Sequence, residues 1–143
     1  DVPDKKVIVD LNTQTLYCLE GQREVYFCEV STGGRSETGD WGTPPGMHTI
    51  WRKMISTHMS AGGQVNYDTP GIGWTTLFDS DGAAIHCAYW HNAFGTPRSH
   101  GCVNCYYEDA HWIWRWTSPF VDYYPGERTI QGLGLSTLVD VRF

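Results

Sequence analysis

Short apolar stretches, broken by glycine and proline, run through most of the chain, and few of them repeat at the helical period. Val7, Val9 and Leu11 fall on one side of an extended segment and predict a half-buried strand. Thr15 to Leu19 and Glu24 to Val30 flank Glu20-Gly21-Gln22-Arg23, the pattern of a hairpin with a glycine-containing turn. Ser31 to Gly42 reads as a polar loop. Thr43-Pro44-Pro45-Gly46 reads as a tight turn, after which Met47 to Trp51 resumes as a strand. From Ser56 to Gly73 periodicity is lost. A loop this long in a compact domain is usually functional or disordered, and the segment reads as a flap. Trp74 to Phe78 and Ala83 to Cys87 predict two more strands, joined by a turn at Asp79-Ser80-Asp81-Gly82. His91 to Gly101 reads as an irregular loop. Helical spacing occurs once, at Ala110, Ile113, Trp114 and Thr117. The helix is expected from near Asn104, with Glu108 and Asp109 in its first turns, where acids favour the positive end of the dipole. Thr137 to Phe143 alternates again as a closing strand. These elements predict a mainly β fold with one principal helix, arranged as a single domain over residues 1–143.

Composition narrows the function more than the fold. The 143 residues are 41% hydrophobic and 18% charged, which fits a folded globular chain and not a disordered one. The formal net charge of −6, with no Lys/Arg cluster, argues against nucleic acid and against an anionic membrane surface as partners. No run of apolar residues is long enough to span a bilayer. The chain starts at Asp1 without a signal peptide, so a mature form or an excised domain is expected. Five cysteines, Cys18, Cys28, Cys87, Cys102 and Cys105, leave at least one outside any intramolecular disulfide.

Cys102 has the richest surroundings. It lies in Ser99-His100-Gly101-Cys102-Val103-Asn104, downstream of His86, which ends the apolar run Ala83-Ala84-Ile85. A cysteine with histidines at hand supplies a thiolate nucleophile and its base. The expected helix start behind Cys102 would favour the anion. A bend at Gly101 could aim backbone N–H groups at a developing oxyanion. The competing reading, a small buried apolar cysteine ahead of a helix, is open on residue types alone.

Ile85-His86, Phe94-Gly95-Thr96-Pro97 and Ser99-His100-Gly101-Cys102-Val103-Asn104 together resemble the L,D-transpeptidase (YkuD-type) catalytic domain. Val9-Asp10 with Gln14 and Leu16, Ser31-Thr32-Gly33, Thr43-Pro44-Pro45-Gly46 and Asp109-Ala110 follow that family in order. The resemblance implies an L,D-transpeptidase-type β-sandwich with its principal helix after the catalytic cysteine. It implies Cys102 as nucleophile, His86 as general base, His100 as a residue shaping the site and Gly101 at the oxyanion turn. The implied substrate is a peptidoglycan stem peptide. The cysteine attacks the bond between an L-centre and D-Ala, D-Ala leaves, and an amine resolves the thioester. A carbapenem is expected to acylate the same cysteine, no cofactor or metal is implied, and the implied location is extracytoplasmic, in the periplasm or cell wall. Alternatives are an L,D-carboxypeptidase, with water as acceptor, and a non-catalytic cell-wall-binding module.

Two positions depart from the family pattern: Cys87 replaces the usual glycine, and Cys105 a usual apolar residue. They are read either as a disulfide or as two independent buried thiols. Cys102-Val103-Asn104-Cys105 is also a C-x-x-C, but no βαβ pattern surrounds it, and the nearby Cys and His residues lack a zinc-site spacing. Tyr67 on the flap and Trp90 beside the histidine loop are candidate stacking surfaces for a stem peptide, against ordinary packing. Arg98 is a candidate for a substrate carboxylate, Ser99 and Asn104 are candidates lining the site, and Asn104 reads equally as a helix N-cap.

Overall fold

A computed structural model of the chain describes residues 4–33, 42–59, 69–79, 83–87, 102–121, 127–129 and 136–143. Its strands are β1 (Lys5–Asp10), β2 (Thr15–Glu20), β3 (Arg23–Glu29), β4 (Gly46–Thr49), β5 (Arg52–Met59), β6 (Thr69–Leu77), β7 (Ala84–Cys87), β8 (Val103–Cys105), β9 (Glu127–Thr129) and β10 (Leu138–Arg142). The helix α1 (Tyr107–Trp116) lies between β8 and β9 in sequence. One sheet has the order β3-β2-β1-β10-β4 and the other β8-β7-β6-β5-β9. Among the described residues, two sheets with one helix make the mainly β sandwich expected from the sequence.

The first sheet follows directly from the alternating pattern. Val7, Val9, Leu16, Cys18, Val139 and Val141 all turn into one core. Ile8, on the opposite face of β1, is also buried, because β1 sits at the centre of its sheet between β2 and β10. Gly21 adopts φ 65° in the β2–β3 turn, a left-handed conformation that glycine reaches without steric cost. In the second sheet β5, β6 and β7 run antiparallel, while β8 pairs with β7 in parallel.

The structure corrects the sequence reading at two places. The span from Ser56 to Gly73 is not loop throughout: β5 runs to Met59 and β6 starts at Thr69. Only residues 60–68, which include Tyr67, lie outside the described residues. The helix starts at Tyr107, not near Asn104, because residues 103–105 are taken into β8 by pairing with β7. Tyr106 is the N-cap and makes no side-chain cap hydrogen bond, so Asn104 is not the cap.

The helix packs as its spacing predicts. Ala110, Ile113 and Trp114 are buried against the common core, and α1 contacts β6, β7 and β8. Its C-terminal carbonyls are held by two lysines. Lys5 donates from Nζ to the Trp116 carbonyl at 2.7 Å, and Lys53 donates to the Thr117 and Pro119 carbonyls, both at 2.9 Å. Cations at a helix C-terminus oppose its negative end, and here they come from one strand of each sheet. At the N-terminal turn, the Tyr26 hydroxyl donates to Asp109 and ties the helix to β3.

Candidate active site

The parallel pairing of β7 with β8 builds the site. The register sets Ile85 opposite Val103, His86 opposite Asn104 and Cys87 opposite Cys105. Side chains alternate along a strand, so Cys102 and Asn104 share the face that carries His86, while Val103 and Cys105 share the other. Strands about 4.8 Å apart, with a rise of about 3.3 Å per residue, put the Cα atoms of Cys102 and His86 about 8 Å apart. Two side chains leaning towards each other can span that distance. Cys102 packs with Leu77 and Ala84, in a cluster separate from the main core that holds Cys87 and Cys105. The sheet therefore divides the cysteines: Cys102 faces one side with His86, and the two departures from the family pattern face the core.

His86 is fully buried. Its Nδ1 lies 3.0 Å from the carbonyl oxygen of Cys87. A carbonyl only accepts, so Nδ1 carries the proton and Nε2 is the basic nitrogen of the neutral ring. Burial lowers the His86 pKa to about 4, with the Cys87 carbonyl bond pulling in the opposite direction. Burial likewise pushes the Cys102 thiol up to about 11, offset in part by a backbone hydrogen bond from Ala84. Both shifts favour the neutral forms, so the pair rests as thiol and imidazole. The helix gives little help to a thiolate, since the whole of β8 separates Cys102 from Tyr107.

Asn104 is the third predicted residue on this face. Its main chain bridges the two sheets: Ser31 N–H donates to the Asn104 carbonyl at 3.0 Å, and Asn104 N–H donates to the Ser31 carbonyl at 2.8 Å. Its side-chain Oδ1 is buried and accepts no hydrogen bond. Sequence reasoning missed this bridge, although Ser31 belongs to a motif it had noticed. The Ser31-Thr32-Gly33 segment is held from several sides. Gln14 accepts from Thr32 N–H at 2.9 Å and donates to Thr32 Oγ1 at 2.8 Å, and Gly33 N–H donates to Thr43 Oγ1 at 2.8 Å. Gln14, Ser31-Thr32-Gly33 and Thr43 thus form one brace behind Asn104. A side chain at Gly33 would meet Thr43 N at 2.7 Å, so only glycine fits there.

Tyr67, Trp90, Arg98, Ser99, His100 and Gly101 lie outside the described residues, as does His91. Among the predicted site residues, the structure brings together Cys102, His86 and Asn104. All five cysteines are free thiols. Among the described residues no group of three or more His, Cys, Asp or Glu side chains could hold a metal ion, and no helix is long and apolar enough to cross a membrane.

Comparison with known proteins agrees with this architecture. The chain matches the L,D-transpeptidase catalytic domain (YkuD) family over residues 4–139. No curated protein matches it. Similar solved structures include the LD transpeptidase LdtMt1 in complex with imipenem, at TM-score 0.74 and 17% identity over 96% of this chain and 58% of that one. An L,D-transpeptidase from Mycobacterium smegmatis superposes at TM-score 0.73 and 16% identity, covering 98% of this chain and 59% of that one. One from Mycobacterium tuberculosis H37Rv superposes at TM-score 0.72 and 23% identity, covering 99% and 58%. The chain thus spans about three-fifths of the length of these solved proteins. With the family match covering nearly the whole sequence, this chain belongs to the L,D-transpeptidase catalytic domain (YkuD) family.

Proposed function

We propose that residues 1–143 act as one catalytic domain that performs L,D-transpeptidation on peptidoglycan stem peptides through a thioester at Cys102. The observation that carries the reading is the placement of Cys102 and His86 on one face of the second sheet by the β7–β8 register, in a chain of this family. The bond broken joins the L-centre at stem position three to D-Ala at position four. Cys102 Sγ attacks the carbonyl carbon while its proton passes to His86 Nε2, the nitrogen left basic by the Nδ1 bond to Cys87. Proton transfer accompanies attack, because burial disfavours a preformed thiolate and imidazolium. The tetrahedral oxyanion is met by N–H groups at the Gly101 turn, and His100 shapes the pocket around it. The proton on His86 then goes to the departing amine of D-Ala. An acceptor amine attacks the thioester, gives its proton to His86, and the Cys102 thiol is restored.

Asn104 Oδ1, buried and without a hydrogen bond, offers an acceptor for a donor on the stem peptide. Ser99 in the cysteine motif, Tyr67 and Trp90 as stacking aromatics and Arg98 as a cation for a substrate carboxylate complete the proposed substrate-binding set. The similar structures of LdtMt1 with imipenem, a carbapenem, and of Mycobacterium tuberculosis L,D-transpeptidase 3 with a faropenem-derived adduct support acylation of Cys102 by β-lactams, carbapenems among them. Peptidoglycan as substrate puts the working location outside the cytoplasm, in the periplasm or cell wall.

The test is product analysis by mass spectrometry after incubation with a disaccharide-tetrapeptide. Free D-Ala together with a cross-linked dimer supports the reading. D-Ala with an uncross-linked tripeptide alone identifies an L,D-carboxypeptidase. An unchanged substrate, under conditions where the protein is folded, identifies a binding module.

A further inference from the structure

A buried oxygen atom without a hydrogen bond costs free energy unless something uses it. Among the described residues three side-chain oxygens are in that state: Asn104 Oδ1, Thr75 Oγ1 and Thr76 Oγ1. Asn104 is accounted for by the stem peptide in the proposed reaction. The two threonines are neighbours on β6, and side chains alternate along a strand, so they face opposite ways.

The register says which way each one faces. In the antiparallel β6–β7 pair, Thr76 stands opposite Ile85 and Leu77 opposite Ala84. Ile85, Trp74 and Phe78 belong to the main core, so Thr76 points there with them. Leu77 and Ala84 pack with Cys102, and Met54, the β5 partner of Thr75, packs against the same cluster. Thr75 therefore lies on the Cys102 face. One residue further along the β6–β7 register, it comes opposite His86. The parallel β7–β8 register sets Asn104 opposite His86 on the other side. Asn104, His86, Thr75 and Met54 thus form one row across four strands, with the imidazole between two oxygen-bearing side chains. Residues directly opposed in an antiparallel pair have Cβ atoms about 4.5–5.5 Å apart, which puts the Thr75 hydroxyl within contact range of the ring.

We infer that Thr75 is a positioning residue for His86: across the β6–β7 pair its hydroxyl oxygen holds the ring in place and faces it while it carries a proton. The inference rests on the reading of His86 as the general base. In that reaction the ring is positively charged between attack by Cys102 and departure of D-Ala. His86 is fully buried, and the Cys87 carbonyl serves only its Nδ1 edge. Burial drives the ring towards the neutral form, so every oxygen facing it lowers the cost of the charge. The ring C–H groups of an imidazolium are weak donors, and a hydroxyl oxygen with no other hydrogen bond is open to one. Other groups do not replace it. Among the described side chains of this face, Cys102 is consumed in the thioester, and Arg52, opposite Leu77, is itself a cation. Asp79, past the end of β6, faces His48. Lys53, Cys87, Cys105 and the charged residues of α1 lie behind the sheet, on the core side. Valine has the shape of threonine and suits a strand, and it would leave no hydroxyl unpaired.

Three variants test this. Thr75→Val keeps the shape and removes the oxygen, Thr75→Ser keeps the oxygen, and Thr76→Val removes the equivalent hydroxyl on the core side. Should Thr75→Val not fold, Thr75→Ala is read in its place. For D-Ala release from a stem tetrapeptide, Thr75→Val should lower kcat by roughly 3–10-fold and leave KM unchanged. Thr75→Ser should restore kcat, and Thr76→Val should not change it. Acid titration of the His86 ring by NMR, without substrate, gives the second readout. In Thr75→Val the ring should take up its proton at a pH roughly 0.5–1 lower than in the unaltered protein, and in the other two variants at the same pH as in it. A His86 titration that Thr75→Val does not move, or that Thr76→Val moves equally, would overturn the inference, as would an unchanged kcat in Thr75→Val of an active protein. The titration needs no turnover. If the unaltered protein releases no D-Ala, the proposed function fails, and the titration still decides the part played by Thr75.

Discussion

His86 and Cys102 carry their chemistry in opposite directions from their ordinary acidities, and both directions come from burial. For His86 the folded-state pKa of about 4 lies below the unfolded value of about 6.5. The unfolded chain then binds more protons between those values. The stability that depends on neutral His86 is complete above pH 6.5 and is lost as pH falls towards 4, a contribution of roughly 3 kcal/mol. Denaturant titrations at pH 7 and pH 4.5 should show this loss, and His86→Gln should shrink it; an equal loss in that variant would place the acid sensitivity elsewhere. The neutral resting pair also predicts how Cys102 reacts with iodoacetamide. Its alkylation rate should climb steadily with pH towards about 11. A plateau from pH 5 to 7 would instead reveal a thiolate–imidazolium pair. His86→Ala should slow acylation by about 10²–10⁴-fold, the usual range for lost general acid–base assistance. Both residues stood out in the sequence because the motif that holds them is specific, and the β7–β8 register sets them on one face. What it could not show was which way their environments push them, since burial arises from elements far away in the chain.

Element boundaries were legible where one face is buried and obscure where pairing decides. The hairpin of β2 and β3, the closing strand β10 and the buried face of α1 follow from periodicity alone. β8 does not: three residues hold no period, and Asn104 resembles a helix cap until β7 claims it. β5 was hidden for a related reason, since Lys53, a charged residue, is fully buried on it. Burial lowers the Lys53 pKa to about 7, with Lys5 pushing in the same direction. The unfolded lysine titrates near 10.4, so the unfolded chain binds more protons from pH 7 upwards and stability should rise with pH there. Between pH 7 and 8 the Lys53 contribution should be on the order of 1 kcal/mol, opposed by unfolded-chain thiols that titrate at about 8.5. Lys53→Met should abolish that slope in denaturant titrations, and a slope unchanged in the variant would contradict the account. The brace behind Asn104 makes a separate prediction. Gly33→Ala forces a Cβ against the backbone of Gly42 and Thr43, at 2.7–2.9 Å. It should cost about 1–3 kcal/mol, the usual penalty for overpacking, read as a lower melting temperature.

At the scale of the molecule, the second sheet separates Cys102 from the main core. The second sheet offers one face to the packed interior with α1 and the other to the pair of Cys102 and His86. That division keeps four further cysteines on the core side, away from the proposed nucleophile Cys102. It was not legible in the sequence, because it depends on the parallel pairing of two strands whose order in the chain says nothing about register. The motif Ser31-Thr32-Gly33 shows the same limit: its presence was noticed, but its part in bracing Asn104 needed the bridge between sheets.

The central claim is an acyl-enzyme on Cys102. Whole-protein mass spectrometry after brief mixing with a stem tetrapeptide ending in D-Ala tests it most directly. The account predicts a mass increase equal to the tetrapeptide less D-Ala, located on Cys102 after digestion and missing in Cys102→Ala. An adduct on another residue, or D-Ala release that persists in folded Cys102→Ala, would contradict it.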